Sequence, residues 1–381
     1  MSNVSSPVTG RQFVDRQQEL RDLEGITATL LAGGRDDVAI LGHRKIGKTS
    51  LLRELIRRTT APGLGICYLD LWESIPDLAD FVARYLAAIL DALMIARVRS
   101  GHDAPALLVS SSLHSPSQRQ AAFMDVGRVG SASARQAASL IEDALARRAD
   151  VHLLREALDL PEKLAGEQDL RLLVVLDEFQ ELAGINRATP FRGTRGDVFA
   201  VMRGRWQTHR HVGYAVAGSR VSMMRELLID RRAPFFQHFR ILELGPLPAA
   251  DAAELFRSGL VQAGLEPTDD VVRRAVAVTG GHPFYLQVLC NETCRCGGTD
   301  APAAFKSAIQ GTLLGPAGRL ALYFEDLVGK VAGRSVMLEQ VLLQVARGND
   351  TVGGLSKELH CNSGAVVTAL RRLSDLVVKS G

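Results

Sequence analysis

The sequence predicts an α/β fold built on a parallel β-sheet, and two segments of the 381-residue chain support this prediction. Residues 37–41 form an apolar, β-prone run that leads directly into a glycine-rich loop. Residues 171–178 form a second apolar run, and this one ends in Asp177 and Glu178. Uninterrupted apolar strands are typical of parallel sheets whose two faces are covered by helices.

The loop after the first strand has the pattern of a phosphate-binding P-loop. Residues 42–49 read GHRKIGKT and match G-x-x-x-x-G-K-[ST]. The two glycines let the backbone curl so that successive N–H groups face phosphate oxygens. Lys48 adds a charge at the β- and γ-phosphates, and Thr49 offers a hydroxyl to Mg²⁺. The predicted phosphate-binding residues are Gly42, His43, Arg44, Lys45, Ile46, Gly47, Lys48, Thr49 and Ser50.

The segment after the loop reads as a helix, because leucines and an isoleucine recur at helical spacing in residues 50–58. Its dipole directs the positive end at the same anion. Strand, glycine loop and helix therefore follow in the order that a P-loop requires.

Asp177 and Glu178 have the arrangement of a Walker B motif. Asp177 is predicted to hold Mg²⁺ together with Thr49, and Glu178 to orient and deprotonate an attacking water. A core strand that ends in two solvated acids is the alternative. A P-loop in the same chain favours the Walker B interpretation, because P-loop folds bring the two strands together.

Three further strands are predicted at residues 65–70, 212–218 and 240–244. The second of them ends in Gly218-Ser219-Arg220. Ser219 is a candidate for a polar residue that senses the γ-phosphate, with Arg220 as a second candidate. A helix cap at Ser219 is an equally open interpretation.

Two segments are rich in loop-forming residues. Residues 97–140 are predicted to form a mobile surface insertion, between amphipathic helices near 77–96 and 133–148. Residues 186–197 are predicted to form a loop whose arginines contact a partner or a DNA backbone, or are simply solvated. Those arginines are Arg187, Arg192 and Arg195.

Composition limits the class of protein. The chain is 46% hydrophobic and 23% charged, which is ordinary for a globular protein with a large core. No apolar run is long enough to span a membrane and no signal peptide is recognisable, so we expect a cytoplasmic protein. The formal net charge of +3 neither indicates nor excludes a nucleic-acid partner.

The five cysteines do not suggest a disulfide framework. Cys290, Cys294 and Cys296 form a C-x3-C-x-C cluster that fits no standard zinc pattern. Core or surface thiols are the favoured interpretation, with a metal site as the alternative.

A series of short motifs resembles those of STAND-type and archaeal-type AAA-like ATPases, which are related to origin-recognition-type initiators. Besides the P-loop and Walker B motif, residues 13–20 (FVDRQQEL) resemble the box that precedes the P-loop in this family, and residues 279–287 (TGGHPFYLQ) resemble its lid signature. Residues 219–240 resemble the segment from the sensor serine to a Pro–aromatic–Arg element. The resemblance implies an adenine pocket, and hence ATP with Mg²⁺, that includes Phe13, Val14, Arg16 and Pro283.

The resemblance also implies a domain organisation. Residues 1–246 would form the ATPase core, residues 247–315 an all-α helical lid and residues 316–381 a winged-helix-like domain. A helix-turn-helix is expected at residues 351–373. Because the sequence ends at Gly381, where the first wing strand would start, the wing is expected to be incomplete.

Several arginines are candidates for the residue that stabilises transition-state charge in such ATPases. The candidates are Arg220, Arg231, Arg232 and Arg240. Arg240 is favoured, because it occupies the Pro–aromatic–Arg position. It could act within its own chain or on a neighbour, or it could form only an intramolecular ion pair.

Three functions remain open from the sequence. The favoured one is an ATP-hydrolysing conformational switch with slow or partner-stimulated turnover, read by an unknown protein effector. The second is a DNA-binding ATPase, loaded by ATP through its Arg-rich loops and residues 351–373. The third is a module that binds ATP without useful hydrolysis. A homo-oligomer is possible in each case.

Overall fold

A five-stranded parallel sheet forms the centre of the computed structural model, in the order β2-β3-β4-β1-β5. The structure describes residues 7, 9–10, 13, 16–72, 77–101, 131–147, 150–188, 197–297, 300–333 and 335–373. The strands are β1 (Val38–Leu41), β2 (Leu64–Asp70), β3 (Arg171–Asp177), β4 (Val212–Gly218) and β5 (Arg240–Glu243). All neighbouring strands run parallel, so the predicted α/β fold is confirmed.

Helices cover both faces of the sheet. Along β3, Leu172 and Val174 pack into one apolar cluster, while Leu173 and Val175 pack into the other. This alternation explains why the strand reads as an uninterrupted apolar run. The helices of this region are α1 (Gln17–Leu31), α2 (Lys48–Arg58), α3 (Leu78–Arg99), α4 (Ala132–Leu145), α5 (Val151–Glu167), α6 (Ala183–Ala188), α7 (Val198–Trp206) and α8 (Val221–Leu228).

The two loop predictions need correction at their ends. The predicted insertion at 97–140 begins in α3 and ends in α4, because Asp77 and Ser131 cap these helices and apolar side chains of both helices pack together. Residues 186–188 belong to α6, which continues the 3₁₀ turn Phe179–Leu182. Residues 102–130, and Arg192 and Arg195, lie outside the described residues.

Four helices follow the sheet and have an apolar core of their own. They are α9 (Ala249–Gln262), α10 (Asp269–Thr279), α11 (Pro283–Cys296) and α12 (Ala301–Ile309), and a π-helical turn at Gln310–Leu314 follows them. Phe256, Leu286 and Phe305 lie in this core. Gly280 ends α10 in the left-handed conformation, and Pro283 starts α11, which suits a residue without an N–H group.

The last described helices form a further apolar cluster around Val341, Leu355 and Val366. They are α13 (Arg319–Ala332), α14 (Val336–Ala346), α15 (Val352–Glu358) and α16 (Ser363–Arg372). The pair α15–α16 fits the expected helix-turn-helix, with Asn362 capping the second helix. The expected wing lies in residues 374–381, outside the described residues, so the winged-helix assignment stays a prediction, as do the boundaries of the three domains.

In the described part of the chain, no helix is both long and apolar enough to cross a membrane. The five cysteines carry no disulfide, and Cys290 is buried against the lid core. Among the described residues, no three or more His, Cys, Asp or Glu side chains are grouped so that they could hold a metal ion.

Candidate nucleotide site

A cavity of about 360 Å³ opens at the carboxyl ends of the strands, between the P-loop and the lid. Most of the predicted site residues line it. They are Phe13, Arg16, Arg44, Lys45, Ile46, Gly47, Lys48, Thr49, Ser50, Asp177, Glu178 and Pro283. Val14 lies outside the described residues. The structure thus brings together residues that are more than 250 positions apart in the sequence.

The glycines of the P-loop are required by its shape. A Cβ atom on Gly42 would lie 2.7 Å from the carbonyl oxygen of Leu244, just after β5. Gly47 has a φ of 108°, a conformation that side chains strongly disfavour. The loop therefore packs closely on the sheet and turns directly into α2.

Lys48 is held inside its own loop. Its Nζ donates to the carbonyl oxygens of Gly42, at 2.8 Å, and His43, at 3.1 Å. Burial lowers the pKa of Lys48, while Glu178 and Asp177 oppose this shift. Lys48 thus places a buried ammonium beside Asp177 and Glu178, which also line the cavity.

Thr49 and Asp177 come together as the motif predicts. The Thr49 hydroxyl donates to Asp177 Oδ2 at 2.6 Å, and the Tyr68 hydroxyl donates to the same oxygen at 3.0 Å. Burial raises the pKa of Asp177, and the bond from Thr49 counteracts this. A hydroxyl and a carboxylate are hard oxygen donors, so this pair fits a Mg²⁺ ion that also binds phosphate oxygens.

Three donors converge on one carboxylate oxygen of Glu178. Ser219 donates to Oε2 from its backbone N–H at 3.1 Å and from its hydroxyl at 2.7 Å, and Gln180 Nε2 donates at 2.7 Å. Glu178 itself has a φ of 54°, in the left-handed region. The Ser219 side chain does not cap α8, whose N-cap residue is Arg220. Ser219 therefore contacts the candidate base directly.

The other end of the cavity is mainly apolar. Phe13, Leu247, Leu255, Pro283 and Phe284 line it. They come from the segment before α1, from the start of the lid and from helices α9 and α11.

Arg16 also lines this end, but its guanidinium is engaged. It pairs with Glu19 at 3.0 Å and donates to the carbonyl oxygen of Gly245. The arginine of the first motif thus ties the segment before α1 to the chain just before the lid.

The lid and the P-loop contact each other through α11. His282, which precedes this helix, stacks on Tyr285 and lies beside the backbone of Arg44. Lys45 Nζ lies 3.7 Å from the centre of the Phe284 ring and 4.7 Å from that of Tyr323, in α13. The P-loop is therefore in contact with both helical regions.

Arg240 is not part of this cavity. It opens β5 and so lies at the opposite end of the sheet, where it is exposed and pairs with Asp36 at 3.5 Å. The expectation of a catalytic Arg240 within its own chain is therefore corrected, because the strand carries its first residue away from the P-loop. Arg220 pairs with Glu181 at 3.4 Å, and Arg231 and Arg232 are exposed in the turn after α8.

Sequence reasoning missed several cavity residues. These are Arg53, Asp70, Trp72, Phe284 and Gln287 in the lining, with Tyr68 and Gln180 behind it. Asp70 had a signal, since it ends a predicted strand, and its register pairs it with Asp177. Tyr68 and Gln287 have no comparable local signal.

Residues 13–289 match the family described as an ATPase domain predominantly from Archaea. The chain belongs to this family. It is therefore an ATPase, as the P-loop and Walker B motif predict. The archaeal-type part of the resemblance is thereby confirmed. No curated protein matches the sequence.

Solved structures support the same fold. The chain is similar to a Walker-type ATPase of Pyrococcus abyssi, with 18% identity and a TM-score of 0.63 over 98% of this chain and 92% of the other. It is also similar to the ORC2 protein of Aeropyrum pernix in ADPNP–ADP complexes, with 15% identity and a TM-score of 0.53 over 98% and 89%. At these identities the likeness shows the fold alone.

Proposed function

We propose that this ATPase binds ATP between the P-loop and the lid, hydrolyses it and acts as a nucleotide-dependent conformational switch. The observation that carries the proposal is the shared cavity. Its phosphate-binding end belongs to the core, and its apolar end is built largely by Leu247, Leu255 and Pro283 of the lid. A nucleotide that fills both ends would contact both regions at once.

The reaction follows from the side chains at the phosphate end. Glu178 takes a proton from the attacking water, the water oxygen bonds to the γ-phosphorus, and the bond to the bridging oxygen of ADP breaks. Lys48 places its charge beside the phosphates. Ser219 fixes the orientation of Glu178 through its two hydrogen bonds.

Thr49 and Asp177 are the residues that would hold Mg²⁺. When bound, the ion neutralises charge on the phosphate oxygens. The short contact between the Thr49 hydroxyl and Asp177 supports this assignment, because both groups face the cavity from adjacent elements.

The lid is expected to respond to the nucleotide because its first turn is tied to its signature motif. The Leu247 N–H donates to the Gly281 carbonyl oxygen at 3.0 Å. Leu247 lines the cavity, and Gly281 lies two residues before Pro283, which also lines it. A ligand that binds one lid position better than another shifts the population toward that position.

Slow turnover by the isolated chain is part of the proposal. Glu178 Oε2 is occupied by three donors, so the carboxylate must release at least one of them to accept a proton through this oxygen. A protein effector or a second copy of the chain could favour that release. An arginine acting from a neighbouring chain, with Arg240 as the first candidate, belongs to the same proposal.

The test is nucleotide binding and phosphate release by three proteins. Wild type should bind ATP and ADP and release phosphate slowly, while Lys48→Ala should lose binding. Lys330→Ala is the matched control, because this exposed lysine pairs only with Asp326 on the surface of α13. Equal ATP binding by wild type and Lys48→Ala would reject the site.

DNA binding is the alternative role, and it is tested separately. In α16 the two basic residues, Arg371 and Arg372, lie in the last turn, whereas helix-turn-helix proteins read bases with the first turns. A DNA-loaded ATPase would bind DNA only with ATP, and its affinity would fall steeply with salt. We also propose that the protein is cytoplasmic and of the STAND type.

A further inference from the structure

The apolar end of the cavity can hold a purine but cannot identify it. Phe13, Leu247, Leu255 and Pro283 offer flat or aliphatic surfaces. Adenine and guanine bury similar faces against such surfaces. Discrimination between them requires a hydrogen-bonding group beside the edge of the base.

Gln287 supplies such a group. It lines the cavity from α11, four residues after Pro283, so both side chains lie on the same face of the helix. The side chain is half-buried, and its amide forms no hydrogen bond to any residue that the structure describes.

The other polar groups around the cavity have partners or lie with the phosphates. The Arg16 guanidinium is occupied by Glu19 and Gly245. Lys45 lies over Phe284, and Lys48 bonds its own loop. Among the described lid residues that line the cavity, Gln287 therefore supplies the side-chain donor and acceptor, and its amide has no partner.

We propose that Gln287 reads the base of the nucleotide through the N6 amine and N7 of adenine. This inference rests on the proposed function, because it assumes that the base lies between the lid and the segment before α1. The amide oxygen accepts a hydrogen bond from N6, and the amide N–H donates to N7. Guanine presents two acceptors at these positions, O6 and N7, so only one of the two bonds can form.

The choice of this edge follows from what an amide can distinguish. On the N1 edge, a rotated amide would bond guanine as well as it bonds adenine. On the N7 edge, guanine presents two acceptors, so a rotated amide still forms only one hydrogen bond with it. Gln287 therefore makes the site specific for ATP only if it meets N6 and N7.

The test measures equilibrium binding of ATP, GTP and 7-deaza-ATP, which lacks the N7 acceptor. Wild type should bind ATP about 10- to 100-fold more tightly than either of the other two. Gln287→Leu should bring all three affinities within about threefold of each other, mainly by weakening ATP. Gln262→Leu, at the exposed end of α9, is the control.

A second variant guards against a folding defect. Gln287→Glu keeps an acceptor for N6 but has no N–H for N7, so it should bind ATP and 7-deaza-ATP equally. Melting temperatures close to that of wild type establish that both variants fold.

The possible results test the proposed function and the role of Gln287 separately. No binding of any of the three nucleotides to wild type would reject the proposed function. Equal binding of ATP and 7-deaza-ATP to wild type would overturn the proposed role of Gln287 but not the proposed function. The same loss of affinity for all three nucleotides in Gln287→Leu would also overturn it, because the side chain would then only pack against the base.

Discussion

Glu178 combines an uncommon backbone conformation with a crowded carboxylate. Its φ of 54° turns the side chain from the end of β3 toward β4, where Ser219 follows the last strand residue. Left-handed backbone in a non-glycine residue carries a cost, and surrounding contacts must maintain it. The three hydrogen bonds from Ser219 and Gln180 supply those contacts.

Glu178→Gln should separate chemistry from binding. The amide cannot take a proton from water, so phosphate release should fall by about 10²- to 10⁴-fold. ATP affinity should stay within about threefold of wild type, because the residue is not part of the P-loop. Glu243→Gln, which alters an exposed carboxylate paired with Arg225 and outside the cavity lining, should retain turnover. Turnover that persists in Glu178→Gln would exclude Glu178 as the base.

His282 makes the stability of the chain depend on pH. Burial lowers its pKa from 6.5 to about 4, and the nearby charges of Lys48 and Arg16 act in the same direction. Below pH 6.5 the unfolded chain therefore binds a proton that the folded chain does not take up, so stability falls as the pH falls toward 4.

This contribution can be isolated by substitution. Between pH 7 and pH 5, wild type should lose about 2 kcal/mol more unfolding free energy than His282→Asn, as measured by urea titration. His152→Asn is the control, since that histidine is exposed on α5. An identical pH dependence in wild type and His282→Asn would contradict the lowered pKa.

Residues of the two nucleotide motifs were predictable because their chemistry is local in sequence. Residues 42–49 form a continuous loop, and Asp177 and Glu178 end one strand. Tyr68 was not predictable, because it reaches Asp177 only through the register of β2 on β3. The prediction for Arg240 failed because a local motif does not fix where a residue lies on the sheet. The parallel pairing of β5 with β1 places Arg240 at the end of the sheet far from the P-loop.

At the scale of elements, the start of α11 positions the base end of the cavity. Gly280 ends α10, Gly281 has a φ of 73°, and Pro283 opens α11. A Cβ atom on Gly281 would lie 2.5 Å from the carbonyl oxygen of Leu247, while one on Gly280 would meet nothing within 4 Å. The close approach of Gly281 to Leu247 holds the start of the lid against the start of α11.

Alanine at these two glycines should therefore have different effects. Gly280→Ala should cost about 1 kcal/mol, from left-handed backbone alone. Gly281→Ala should cost more, on the order of 3 kcal/mol, and should weaken ATP binding, because the backbone at Leu247 must move. Urea unfolding and ATP titration measure both. Equal effects of the two substitutions would show that the approach to Leu247 does not matter.

Most elements of the core and lid follow from their sequence patterns. Strand β4 has the predicted bounds, β3 ends one residue before the predicted run 171–178, and the described residues of 247–315 are mainly helical, as expected. Helix α5 was not predicted, although Leu153, Leu154 and Leu158 recur at helical spacing, because Pro161 lies inside it. The second half of α6 falls in the predicted loop 186–197, because its short sequence, AGINRA, shows no repeated apolar spacing.

At the scale of the whole molecule, Lys45 links three regions. Its Nζ lies over the rings of Phe284 in α11 and Tyr323 in α13, while its backbone belongs to the P-loop. Burial lowers the pKa of Lys45, and Arg44 and Arg319 add to the effect. A nucleotide that reshapes the P-loop would thus move a side chain that touches both helical regions.

Lys45→Met should weaken this link without emptying the site. The P-loop backbone remains, so ATP affinity should change by less than about threefold. The difference in shape between the ATP and ADP states should shrink, because the cation–π contacts with the two rings are lost. Lys357→Met, on the exposed side of α15, is the control. An unchanged shape response in Lys45→Met would remove Lys45 from the coupling.

We expect ATP to change the position of the lid relative to the core. Small-angle X-ray scattering of Glu178→Gln, which should hold ATP without hydrolysing it, tests this most directly. We expect a smaller radius of gyration at unchanged molecular mass with ATP than with ADP or without nucleotide, and no such change in Lys48→Ala. Superimposable scattering curves in all three states, with ATP demonstrably bound, would show that the nucleotide does not move the lid.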